Sequence, residues 1–169
     1  MTLQQLMALA SAVYLVLVVA TIYFTRATTR RVLAALAGGG LVAVAGFGVE
    51  VLCQALGLWR YPSDDSGYGP LAMYPAVVLI FAFLSLIGWR VMRRFGWRGE
   101  VVFLAAVTVL GTVRDYKIAE HATGIIVFTP GLTTVLADLV AWGGLTALAQ
   151  GVMRLVAGPA AADRLARQS

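Results

Sequence analysis

Glu50, Asp115 and Asp138 are three of only eight acidic residues in a chain of 169. Each lies in or beside a long apolar run, and Arg114 directly precedes Asp115. Such groups in apolar surroundings suit three kinds of chemistry. A protonated carboxyl beside an ionised one pairs a general acid with a general base. An arginine next to them could hold a phosphate or carboxylate headgroup through its paired N–H donors. The same carboxylates could bind a cation or relay protons. The catalytic candidates are therefore Glu50, Asp115 and Asp138, and the ligand-binding candidates are Arg114, Tyr61, Tyr74 and His121. Each also has a purely structural reading. Glu50 and Arg114 could form an ion pair, Asp138 could bond backbone near the start of its helix, and Lys117 and His121 could anchor the chain at a membrane interface.

Composition sets the solvent in which these groups must work. Hydrophobic residues make up 60% of the chain and charged residues 12%, against about 25% charged in a soluble domain. That leaves too little polar surface to cover a water-soluble globule, so an integral membrane protein is expected. The net charge of +5 comes from arginines in short clusters beside apolar runs, as topology signals do. There is no basic patch with interleaved aromatics to follow a phosphate backbone, which argues against nucleic acid. One cysteine and one histidine exclude a cysteine-based zinc or iron–sulfur site and a bis-histidine haem within one chain. No cofactor or metal is expected. The expected partners are the lipid bilayer, a hydrophobic small molecule or lipid, and a larger membrane complex or second copies of the chain.

The apolar runs predict an all-α, polytopic bundle of five transmembrane helices, at about 4–25, 32–58, 70–94, 100–120 and 131–156. Residues 1–158 form this single unit, and 159–169 form a short basic tail. The N-terminal run reads as a retained membrane helix rather than a cleaved signal. The fourth span is the problem. Val101 to Val113 covers 13 residues, about 20 Å of the roughly 30 Å of hydrocarbon. To cross, its helix must continue through Arg114 and Asp115 to about Glu120. Five spans then bring the arginine clusters at 26–31, 90–98 and 154–167 to one face, which predicts the N-terminus outside and the C-terminus in the cytoplasm. The expected location is the cell membrane, multi-pass, the inner membrane if the source is bacterial. Trp59, Tyr61, Tyr68 and Tyr74 would mark the outer boundary, and Trp89, Phe95 and Trp97 the inner one.

In this arrangement Glu50, Arg114, Asp115 and Asp138 fall in one slab, about 10 Å below the outer surface. Helical periodicity groups Glu50 with Gly39, Gly46, Cys53 and Gln54. It groups Asp115 with Thr108 and Thr112, and Asp138 with Thr134 and Trp142. These small, polar stripes suit contact with other helices. Arg114, Lys117 and His121 fall on a separate basic face. Gly38, Gly39 and Gly40 read as a close helix contact, Cys53 as a packing residue, and Asp64 and Asp65 as part of a turn.

The stretch "GVEVLCQALGLWRYP" followed by "GPLAMYP" resembles carotenoid-pathway membrane proteins of the small lycopene-cyclase type. In those proteins a helix bearing an acidic residue runs into a Trp-x-Tyr boundary and then a proline-led helix. The likeness covers about a quarter of the chain. The paired glutamates that follow the proline in that family are replaced here by "AVVLIF", so no catalytic role is carried over. The sequence supports first a small, bacterial-type membrane protein that is a non-enzymatic binding or accessory subunit with a buried polar cluster near the outer face. The alternative is a membrane-embedded enzyme acting on a lipid or isoprenoid by carboxylate acid/base chemistry. A small ion or proton carrier is the third.

Overall fold

The structure, a computed structural model, describes residues 3–62, 70–121 and 125–158. The expected tail at 159–169, the Asp64–Asp65 turn and Tyr68 lie outside the described residues. With no water in hydrocarbon to satisfy backbone groups, apolar runs of this length fold as helices. They form α1 (Leu3–Thr25), α2 (Thr29–Ala55), α3 (Tyr74–His121) and α4 (Leu132–Ala157). All four are long and apolar enough to cross a membrane, and the chain is a helical membrane bundle.

A single glycine shapes α3. A straight helix of 48 residues would extend about 72 Å, more than twice the hydrocarbon thickness. At Gly96 the backbone takes φ 69° and ψ −159°, a conformation glycine reaches far more cheaply than any residue with a Cβ. The chain reverses there. Residues 88 and 103 would stand about 22 Å apart in a straight helix, yet a Cβ on Gly88 would lie 2.8 Å from the Phe103 ring. Trp142 of α4 likewise stacks on Phe81 at 5.5 Å and lies against Gly111. Two antiparallel limbs, 74–95 and 97–121, thus replace the separate helices expected at 70–94 and 100–120. The expected connection between them shrinks to one residue.

α2, α3 and α4 pack on one another, and α1 rests mainly on α3. Two of the three consecutive glycines mark the closest crossings. A Cβ on Gly38 would sit 2.9 Å from the Ala149 carbonyl oxygen, and one on Gly39 would collide with the Val78 carbonyl; around Gly40 there is open space. Arginines fasten one end of the bundle. Arg30 Nε donates to Val156 O at 2.8 Å, and Arg90 to Phe24 O at 3.3 Å, placing cations on the last carbonyls of α4 and α1, where helix dipoles favour them. Arg154 pairs with Glu100. Trp89, expected at the inner interface, is instead 5% exposed in the core beside Ala82, Leu86 and Met153. Phe95 and Trp97 are exposed as expected.

The opposite end carries a feature that the sequence did not suggest. β1 (Trp59–Arg60) pairs antiparallel with β2 (Val127–Phe128). α2 ends at Ala55, short of the expected residue 58. Gly57, at φ 70°, lets Leu58 N reach Cys53 O and Gly57 N reach Gln54 O, both at 2.9 Å. These paired bonds close the helix and turn the chain back over it.

Gly39→Ala is expected to lower thermal stability in mild detergent by about 1–3 kcal/mol, because the added Cβ meets backbone that cannot rotate away. Gly40→Ala should leave stability unchanged or raise it by up to about 1 kcal/mol. Equal effects from both substitutions would contradict the crossing.

Candidate functional site

The reversal at Gly57 positions the first carboxylate. It carries Trp59 back over α2, where the indole Nε1 donates to Glu50 Oε2 at 2.7 Å. Tyr61 is a second donor to Glu50. Trp59 and Tyr61 are 4% and 8% exposed, so they are buried partners of Glu50 rather than residues of an interfacial belt. Burial, and then the neighbouring Glu50 carboxylate, push the Tyr61 hydroxyl well above its usual range. It therefore remains a protonated donor.

The second carboxylate sits on the returning limb of α3. Trp142 Nε1 of α4 donates to Asp115 Oδ2 at 2.8 Å. Arg114 Nη1 lies 3.7 Å from Asp115 Oδ1, and its guanidinium stands 5.6 Å over the Trp142 ring, within range of a cation–π contact. Two expectations change here. The ion pair of Arg114 is with Asp115, not Glu50. Arg114 also turns toward α4 instead of sharing a face with Lys117 and His121, because Trp142 offers both a ring face and a donor at that level. Lys117 pairs with Glu120 at 2.6 Å, His121 Nδ1 lies 2.9 Å from Lys117 O, and all three are exposed.

The third carboxylate, Asp138, is 5% exposed. Its neighbour is Thr112 across the contact with α3, and its Oδ2 is buried without a hydrogen-bond partner. Tyr116, stacked on Phe128 at 4.4 Å, ties the same level of α3 to the strand pair.

These groups surround one cavity of about 410 Å³. Glu50, Asp115, Asp138, Arg114, Tyr61 and Tyr74 all line it, and Leu6, Met7 and Ala10 of α1 supply an apolar wall. Six of the seven site candidates thus share one space, and His121 stands outside it. The described residues contain no cluster of three or more histidine, cysteine or acidic residues placed to hold a metal. No protein family, curated protein or solved structure matches this chain. The chemistry of the site rests on its own residues.

Sequence reading missed two parts of this arrangement. Trp59 gave no sign of bonding Glu50, because its donor role depends on the strand pair. The polar stripe of α4 continues beyond Trp142. Thr134, Asp138, Trp142, Thr146, Gln150 and Arg154 recur every fourth residue. Thr134, Thr146 and Gln150 are 2%, 1% and 4% exposed. Gln150 Nε2 donates to Leu84 O at 3.2 Å, and Arg154 donates to Met92 Sδ at 3.1 Å. The spacing was visible in the sequence and could have identified the spine.

Trp59→Phe is expected to cost about 1–3 kcal/mol of stability, since Glu50 loses a buried donor. Combined with Glu50→Gln, the two losses should couple by about 0.5–3 kcal/mol in a double-mutant cycle read by thermal unfolding. Strict additivity would mean that the indole and the carboxylate do not meet.

Proposed function

We propose that this chain is a binding protein of the cell membrane that holds a hydrophobic small molecule or lipid in the carboxylate-lined cavity, alone or as the accessory subunit of a larger membrane complex. It crosses the membrane five times, with the N-terminus and the strand pair outside and the arginine end in the cytoplasm. The reversal at Gly96 supports the count, since it gives α3 two crossings. The arginines at 30–31 and 90–98 support the orientation.

The observation that carries the binding reading is the state of the carboxylates. Glu50 is held by Trp59, and Asp115 by Trp142 and Arg114. Both are fixed into the wall of a preformed space rather than left as a free acid and base. A preformed, mostly apolar cavity with a few convergent polar groups is the usual form of a small-molecule site, and 410 Å³ lies within the roughly 300–1,000 Å³ such sites occupy. The apolar wall from α1 suits a ligand with a hydrocarbon portion.

Ala141 lines the cavity, and Ala141→Trp should fill it. Mass spectrometry of protein purified in mild detergent is expected to find a copurified hydrophobic small molecule at near one-to-one stoichiometry, reduced about tenfold or more in Ala141→Trp, as expected when a side chain occupies the site. Equal ligand content in both proteins, or none in either while both remain folded, would leave the polar cluster with a structural role only. A bound molecule recovered chemically altered would favour the enzyme reading.

A further inference from the structure

The charges around the cavity do not balance. Among the described residues that line it, three carboxylates, Glu50, Asp115 and Asp138, face one guanidinium, Arg114. Arg114 is engaged with Asp115. Glu50 has hydrogen-bond partners, but Trp59 and Tyr61 are neutral donors. A neutral N–H or O–H satisfies an oxygen without cancelling its charge. Asp138 is nine-tenths buried and lacks even that at Oδ2. Arg114 also acts on Asp138 electrostatically, so three carboxylates border this apolar space with one cation shared among them. Unpaired charge in such a place is costly unless a proton or an opposite charge joins it.

The remaining surface suits that opposite charge. Tyr14, Tyr74, Phe81 and Trp142 also line the cavity, and aromatic walls attract cations through their ring faces. One such contact already exists in the site, between Arg114 and Trp142. A fatty acid or phosphate would meet three carboxylates for one arginine. A neutral lipid would leave three carboxylates with one guanidinium between them.

We propose that the ligand of this cavity is a hydrophobic cation: an amine or ammonium group carried on a hydrocarbon body. The positive group lies between Glu50 and Asp138, and the hydrocarbon lies along Leu6, Met7 and Ala10. The proposal rests on the binding reading above and adds the sign of the ligand's charge.

Three probes of equal chain length separate the possibilities: n-octylammonium, 1-octanol and octanoate. Each is titrated into the full chain in phosphatidylcholine nanodiscs and followed by intrinsic tryptophan fluorescence, in which Trp59 and Trp142 line the cavity. Octylammonium is expected to bind saturably, about tenfold or more tighter than octanol, with octanoate weakest, as a desolvated ion pair with cation–π support requires. Asp138→Asn and Glu50→Gln, both near-isosteric, should each remove most of the preference of octylammonium over octanol. Octanol binding as tightly as octylammonium would overturn the cation proposal and leave the binding reading standing. Octanoate binding tightest would overturn it in favour of Arg114 as the recognition group. No saturable binding by any probe would remove both readings. Because the comparison among probes is made on the unsubstituted chain, it holds even if a variant fails to fold.

Discussion

In hydrocarbon a polar side chain has no water to turn to, so it is costly unless another polar group within the bundle meets it. That constraint orders the interior of this protein. α4 carries a polar residue at every fourth position from Thr134 to Arg154, and Asp138, Trp142, Gln150 and Arg154 among them meet α3. Near the strand pair the stripe meets Thr112 and Asp115; farther along it meets Leu84, Glu100 and Met92. Stepping by four residues advances the stripe about 40° per step. It therefore winds around α4, as contact with both limbs of α3 requires.

Gly96 makes those meetings possible. Without the reversal, Asp115 would lie on a far extension of α3, with no access to Trp142 or to the level of Glu50. With it, a limb whose apolar stretch is too short for a membrane is laid against α4, and its charged end is sheltered by Trp142. Gly38 and Gly39 act in the same direction. They let α2 approach α4 and α3 closely, so that the helices bearing Glu50 and Asp138 enclose one cavity. The strand pair closes that end and supplies Trp59.

Much of this was legible in the sequence for physical reasons. Long apolar runs have one stable form in a membrane, so an all-α bundle was legible, and four long apolar helices form it. The inward faces of Glu50, Asp115 and Asp138 followed from the small residues sharing their stripes. Partner choice was not legible. Glu50 and Arg114 seemed natural partners by charge, but Trp59 reaches Glu50 through a turn set by Gly57 and a strand pair of two residues each, far below the length at which alternation can be read. Arg114 was assigned by periodicity alone to the face of Lys117 and His121. A long side chain on the edge of a stripe can swing to either side, and the Trp142 ring decided which. Trp59, Tyr61 and Trp89 looked like belt residues because composition cannot tell an indole at a membrane surface from one that bonds a buried carboxylate or fills a core.

The central claim is that the returning limb of α3 lies against α4 so that Asp115 and Asp138 face one cavity. A Cβ placed on Gly143 would lie 3.1 Å from Thr108 Oγ1 and 3.7 Å from its Cγ2. Cysteines at these two positions would therefore come within the roughly 3.5–4.5 Å Cβ separation that a disulfide needs. With Cys53 replaced by serine, the Thr108→Cys/Gly143→Cys pair should cross-link within the chain when membranes are oxidised. The Val109→Cys/Gly143→Cys pair should not, because Val109 is 54% exposed on the outer surface. Efficient cross-linking of the first pair and not the second is the predicted result. The reverse, or equal reaction of both, would contradict the packing that gathers the carboxylates.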